Sequence, residues 1–169
     1  MANTRTDAKT NGLLELSLDA VIGFAMRSEH AARTFYERAA QRAQEHETRA
    51  LFLRLAEQEL QHFQSLAAAC RKRFPGGFAG AMELSIEGRD EHLAPGPLDR
   101  VLPDISLLEV VTIAIWEEVQ ARDTYRRAAR DSDDGPAELK TLLKALAEEE
   151  QLHLNSLVEL RRLLLQDSA

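Results

Sequence analysis

Two short stretches of this chain, EQELQH at 57–62 and EEEQLH at 148–153, each hold a glutamate and a histidine three residues apart. On a helix that spacing puts both side chains on one face, about one turn apart, so both can reach a common point. Glu59 with His62, and Glu150 with His153, are two copies of one chelating unit. Glu29 and Glu118 sit in the same way inside runs that are otherwise apolar or small. Read singly, a seam glutamate usually reaches solvent and a seam histidine is usually a hydrogen-bonded core residue. Read together, the six raise a charge problem. Burying one unpaired carboxylate costs several kcal/mol, and four near one axis also repel one another. The lysines and arginines occupy other phases of the same helices. Two divalent cations would balance four carboxylates, with the imidazoles neutral. Oxygen and nitrogen donors without thiolate suit Fe, Mn or Zn.

The elements that must position these side chains can be counted. Leu18, Ile22, Ala25, Glu29, Ala32, Tyr36, Ala39 and Ala43 recur at alternating steps of four and three, the seam of a long helix. Phe52, Leu55, Glu59, His62, Leu66 and Ala69 form a second seam, ending near Phe74-Pro75-Gly76-Gly77. Leu107, Val111, Ala114, Glu118, Ala121, Tyr125 and Ala128 form a third, opened by the capping box SLLE at Ser106. Leu139, Leu143, Leu146, Glu150, His153, Leu157, Leu160 and Leu164 form the fourth, with Pro136 at the first helical position. Ser17 is the expected N-cap of the first helix.

Residues 74–104 hold four of the five prolines and show no sustained period, which reads as one long connection. The halves flanking it are copies. SLDAVIGFA matches SLLEVVTIA, EHAARTFYERAA matches EVQARDTYRRAA, and LAEQELQHFQSL matches LAEEEQLHLNSL. The offset is 89 residues for the first pair of helices and 91 for the second. A repeated hairpin with a long crossover builds a pseudo-twofold four-helix bundle, in which matched residues face each other. The expected organisation is a flexible tail over 1–16 and an all-α bundle over 17–166, with hairpins 17–74 and 106–166 and a crossover over 75–105.

Bulk properties narrow the setting. The chain has 169 residues, 44% hydrophobic and 29% charged, and suits one globular domain. A net charge of -7 without a basic cluster argues against nucleic acid as a partner. The single cysteine, Cys70, allows neither an internal disulfide nor a Cys-x-x-Cys metal site. The polar start lacks the apolar core of a signal peptide, and the most apolar run, SLLEVVTIAIW, is too short to span a bilayer. These features point to a cytoplasmic protein with no membrane partner.

One glutamate from each of two helices, plus Glu-x-x-His from the other two, resembles the carboxylate-bridged dimetal site of the ferritin-like superfamily. The flanks EHAARTFYERAA and LAEQELQHF resemble its rubrerythrin branch, and the likeness covers about residues 17–164. It implies a diiron centre in which Glu59 and Glu150 bridge, Glu29 and His62 complete one iron, and Glu118 and His153 the other. Mn or Zn could substitute for the two Fe ions. The implied activity is redox handling of peroxide, O₂ and iron, as a peroxide reductase or a ferroxidase. The alternatives are an iron-storage protein that assembles into an oligomer, and a bundle that metal only stabilises. Full rubrerythrins carry a rubredoxin domain, which a single cysteine cannot build. An external donor, such as a rubredoxin-like or flavin protein, is then required. Rubrerythrins proper also carry a further glutamate one turn beyond the third-helix ligand; here that position is Ala121, matching Ala32 in the first helix. The site is thus closer to the six-ligand type of bacterioferritins. A homo-oligomer, a dimer first, is expected.

Tyr36 and Tyr125 lie seven residues after Glu29 and Glu118 and are candidates for hydrogen bonds to the bridging carboxylates. Glu117 flanks the site, and Trp116 is expected in core or interface packing. His30 and His46 are expected on the surface, with His92 in the crossover. Without metal, the four seam glutamates are expected to titrate above the ordinary carboxylate range.

Overall fold

The computed structural model of the chain describes residues 18–73, 105–131 and 136–167. The tail over 1–16, Ser17, nearly all of the crossover with His92, and the Asp-Asp-Gly run before Pro136 lie outside the described residues. Four helices account for almost all of what is described: α1 (Leu18–Arg42), α2 (His46–Arg73), α3 (Leu107–Asp131) and α4 (Ala137–Asp167). The fold class is all-α, a four-helix bundle. Among the described residues, no helix is long and apolar enough to cross a membrane.

The counted seams are the buried faces. Ile22, Ala25, Tyr36, Ala39, Phe52, Leu55, Leu66, Val111, Ala114, Leu143 and Leu157 are all buried, as is Cys70. Ala32, Ala69, Leu107, Ala121 and Leu164 are half-buried. α1 packs tightly on α2, and α3 on α4. Between the hairpins, α1 faces α3 and α2 faces α4 through far fewer close backbone approaches. The bundle is therefore tight within each hairpin and wide between them.

Helix directions follow from contacts at the ends. Arg42, the last residue of α1, donates to the Ile105 carbonyl just before α3, so α3 starts where α1 finishes. Lys72 near the end of α2 pairs with Glu138 in the first turn of α4 at 3.2 Å, so α4 starts where α2 finishes. The order is up, down, down, up. α2 ends and α3 begins at opposite ends of the bundle, which is why the two hairpins need a connection as long as the bundle.

Local chemistry sets the helix starts. The Glu109 amide donates to Ser106 Oγ at 3.2 Å, while the Ser106 amide donates to Glu109 Oε2 at 2.7 Å. That reciprocal pair is the capping box, and its bonds hold the Glu109 carboxyl below its ordinary range. Pro136 sits one residue outside α4 rather than inside it: its carbonyl accepts from Leu139 at 3.0 Å and Lys140 at 3.2 Å, which makes it the cap. Trp116 is not in the core; it is 52% exposed. Its position lies off the Val111–Ala114–Glu118 seam, so phase outweighs side-chain type.

The core divides into two apolar clusters. One gathers Phe35, Phe52, Leu55, Val111 and Leu157 around Tyr36. The other gathers Ile22, Met26, Leu66, Leu143 and Leu146 around Tyr125. Between them lies the polar band. Removing the cap should loosen the start of α3 alone. Ser106→Ala is expected to lower stability by about 1 kcal/mol in urea unfolding with an unchanged slope; an unchanged midpoint would show that the box does not hold the helix.

Candidate metal centre

The structure brings all six ionisable seam residues together at mid-height. Glu29, Glu59, His62, Glu118, Glu150 and His153 are each at most 3% exposed. They fall into two groups of four that share Glu59 and Glu150: Glu29 and His62 complete one, Glu118 and His153 the other. In each group, one donor atom per residue lies within 4.8 Å of the rest.

The shared glutamates span the two groups. Glu59 Oε2 lies 3.4 Å from His62 Nδ1, and its Oε1 lies 3.1 Å from His153 Nδ1. Glu150 does the reverse, with Oε1 3.2 Å from His62 and Oε2 3.2 Å from His153. Glu29 Oε2 is 3.3 Å from His62 Nδ1, and Glu118 Oε2 is 3.4 Å from His153 Nδ1. The imidazoles stack at 5.3 Å, 15° from parallel. Each Nδ1 thus has three carboxylate oxygens around it and at most one proton to give. The inward atoms Glu29 Oε2, Glu59 Oε1, Glu118 Oε2, both oxygens of Glu150 and both Nδ1 atoms have no well-directed hydrogen bond. Buried polar atoms rarely stay so. A set of converging oxygens and ring nitrogens fits two divalent cations.

Other side chains set the orientation. Tyr36 of α1 donates its hydroxyl to Glu118 Oε1 on α3, and Tyr125 of α3 donates to Glu29 Oε1 on α1. The tyrosines hold the outer oxygens of the unshared glutamates, not those of the shared pair. Antiparallel α1 and α3 put each hydroxyl opposite the other helix's glutamate. Burial, and then the charges on Glu118 and Glu29, push the Tyr36 and Tyr125 hydroxyls well up, so each keeps its proton and stays a donor. Phe52 stacks on Tyr36 at 6.1 Å and Phe35 meets it edge-on at 5.4 Å, which fixes the ring.

The two histidines are supported differently. His62 Nε2 lies 2.8 Å from Glu149 Oε2, so the carboxylate takes the Nε2–H and Nδ1 faces the cluster. His153 Nε2 is buried without a partner. The residue related to Glu149 by the repeat is Gln58. Glu117 lines a narrow cleft between α1 and α3 with Ser28, Ala32 and Ala121, and the cleft reaches the ligands. His30 and His46 are exposed, and neither belongs to the two donor groups.

The four glutamates do not titrate alike. Burial, joined by the charges on Glu59 and Glu150, pushes Glu29 well above the carboxylate range. Burial and the Glu59 charge do the same to Glu118. Burial also acts on Glu59, but the Glu29 carboxyl and the His153 and His62 rings packed against it outweigh burial and hold that carboxyl low. Glu150 is likewise held low by His153 and His62 against burial and the Glu59 charge. Burial would lower both histidines; the surrounding carboxylates outweigh it, raising His62 strongly and His153 to about 12. The expectation of four raised carboxyls holds for two of them. The other two are drawn down because the imidazoles between the helices take up protons. These directions favour protons on both imidazoles and on Glu29 and Glu118, against negative Glu59 and Glu150, a distribution that sums to zero.

Loading two divalent cations should expel those protons. About four are expected per chain at neutral pH, measured by calorimetry in buffers of different ionisation enthalpy; release near zero would contradict the assigned protonation. Groups whose folded pKa is raised contribute stability that is present below the unfolded pKa and lost as pH rises toward the folded one. For Glu29 and Glu118 the loss begins above the unfolded 4.5, and for the histidines above 6.5. Glu59 and Glu150 act oppositely, losing their contribution as pH falls below 4.5. Thermal melts of the metal-free protein should peak near pH 4.5 and fall above it, more steeply past 6.5. A metal-free melting temperature that climbs steadily from pH 5 to pH 8 would refute this. Glu149→Gln is expected to weaken one of the two metal positions about 10–100-fold in optical Co²⁺ titrations. Gln58→Glu should strengthen the other. Equal effects of Glu149→Gln on both positions would show that the support is not local.

Comparison with known proteins agrees with this architecture. The Rubrerythrin family model matches residues 20–83, which include Glu29, Glu59 and His62. Comparison with curated proteins gives no match. A solved structure of a hypothetical protein from Pyrococcus furiosus is similar over 92% of this chain and 94% of its own, with a TM-score of 0.74 and 24% identity. The first hairpin is thus similar to the Rubrerythrin family, and the likeness over the whole bundle shows a shared four-helix fold.

Proposed function

We propose that the chain is a non-haem diiron protein of rubrerythrin type that handles peroxide, O₂ and ferrous iron. The observation supporting it is the pair of buried four-residue donor groups that share Glu59 and Glu150. Glu29 and His62 would hold one ion, Glu118 and His153 the other, and the two shared glutamates would bind both. Two iron ions held there would supply two electrons together to H₂O₂ or O₂. Mn or Zn would satisfy the same donors.

The protein's own part is to orient, to exclude water and to hold protons. Tyr36 and Tyr125 fix the outer oxygens of Glu118 and Glu29, so the inner oxygens turn to the centre. Their hydroxyls are proton donors sealed from solvent beside it. The two apolar clusters close the bundle above and below. The cleft between α1 and α3 is the side from which a small oxidant would approach, past Ser28, Ala32 and Ala121. Turnover requires an electron donor outside this chain, a rubredoxin-like or flavin protein, and we place the protein in the cytoplasm as a homodimer.

A second reading, ferroxidase or iron storage, is favoured by one observation. Ala121 lines the cleft where rubrerythrins proper carry a further glutamate, and Ala32 stands opposite. The centre then has six protein ligands, as in bacterioferritins.

Anaerobic titration with Fe²⁺ is expected to load two ions per chain, and His62→Ala with His153→Ala should abolish that. Stoichiometry near zero, or unchanged in the double variant, would sink the assignment. In stopped-flow mixing, the reduced centre should be oxidised faster by H₂O₂ than by equimolar O₂. The reverse order would install the ferroxidase reading. Inertness to both would leave a metal that only stabilises the bundle.

A further inference from the structure

The first hairpin carries a cavity that the metal centre does not explain. It opens between α1 and α2, has a volume of about 370 Å³, and has Glu29 and Glu59 at its base. That volume lies at the small end of the roughly 300–1,000 Å³ typical of ligand pockets. Met26, Leu60 and Phe63 give it an apolar wall, and Gly23 leaves room that a side chain would fill. Two guanidinium side chains line it, Arg27 and Arg33, and Arg33 is already paired with Glu37 at 2.9 Å. Arg27 lines the cavity, and its Nη1 is sealed from water with no hydrogen-bond partner. An unpaired buried donor on a charged group is costly, and an anion would relieve it.

The repeat shows that this is not a requirement of the fold. The position matching Gly23 is Thr112, and the position matching Arg27 is Trp116. Arg33 and Arg122 also match, but they behave differently. Arg122 Nη1 reaches across from α3 to Gln151 of α4 at 3.0 Å and ties the outer groove of its hairpin. The residue matching Gln151 is Leu60. With no amide across the groove, Arg33 turns along its own helix to Glu37 at 2.9 Å. Set against hairpin two, hairpin one lacks the tie and carries a glycine and Arg27 in the same groove.

We propose that the groove between α1 and α2 binds a small amphipathic carboxylate, its head on Arg27 and its apolar chain along Met26, Leu60 and Phe63. The ligand lies against the outer side of Glu29 and Glu59, next to the centre. This inference stands beside the dimetal reading and does not rest on it, since the groove and Arg27 are present whichever ion is bound.

The test is calorimetry on the full chain, metal-free and Zn²⁺-loaded, with octanoate, octan-1-ol and acetate as probes. Octanoate should bind once per chain in both forms, about tenfold or more tighter than either the alcohol or acetate. Arg27→Gln should bring octanoate down to the level of octan-1-ol. Gly23→Val should remove binding of both long-chain probes without changing metal stoichiometry. Leu60→Gln, which offers Arg33 the tie seen in the second hairpin, should weaken both as well and guards against a folding defect at Gly23. Undetectable octanoate binding, no preference over octan-1-ol, or equal affinity in wild type and Arg27→Gln overturns the proposal. Binding that appears only after Zn²⁺ loading places the carboxylate on the metal and overturns it too.

Discussion

Six ionisable side chains buried at mid-height in an apolar bundle must sum to no net charge, and the rest of the structure is arranged around that requirement. Two states meet it. With protons on His62, His153, Glu29 and Glu118, the cluster is neutral against Glu59 and Glu150. With two divalent cations, four ionised carboxylates and neutral imidazoles, it is neutral again. Exchange of protons for metal therefore changes the occupants without stranding a charge in low dielectric. The two apolar clusters above and below can stay packed in both states, because neither state requires water to enter.

The topology follows from the same constraint. Hairpins are joined tightly within themselves, and the wide dimension between them is where four carboxylates fit. Both apolar clusters join side chains of the two hairpins above and below the gap. Polar links cross it at mid-height: Tyr36 to Glu118, Tyr125 to Glu29, and both imidazoles to the shared glutamates. The tyrosine pairs close only because α1 and α3 run antiparallel and place Tyr seven residues after Glu in each. Equal spacing in two antiparallel copies puts both hydroxyls on both carboxylates at once. A parallel arrangement would face tyrosine with tyrosine.

Much of this is legible in the sequence, because a seam with period 3.5 states which face of each helix is buried, and every described seam position is at least half-buried. The internal repeat adds which residues confront each other. What escapes the sequence is what depends on distances across the gap. The tyrosines reach the unshared glutamates and not the shared ones, a matter of how the hairpins are offset. The carboxyls split into raised and lowered pairs because Glu59 and Glu150 touch both imidazoles while Glu29 and Glu118 touch one each. Of the two places expected for Trp116, core or interface, exposure rules out the core, as its off-seam phase and its match to Arg27 already say. The groove in the first hairpin left a readable trace as well: Gly23, Arg27 and Leu60 each differ from their partners in the repeat, and all three line it.

The pattern of those mismatches separates what the duplicated hairpin is bound to keep from what it is free to change. Every residue whose charge enters the central balance is matched across the repeat, and so are the two tyrosines that orient the unshared carboxylates. Change in any one of these would leave a buried charge without its counterpart. The residues one layer further out are under no such restraint. Glu149 stands against Gln58, Arg27 against Trp116, and Leu60 against Gln151. Glu149 is half-exposed, so its charge is screened by water and adds little to the buried sum, yet it still holds the Nε2–H of His62. A near-symmetric set of ligands thus sits in asymmetric surroundings, with one imidazole backed by a carboxylate and one outer groove open. Two metal positions built from the same donors would then differ in affinity and in what can approach them, which a duplicated bundle can achieve without disturbing its neutral core.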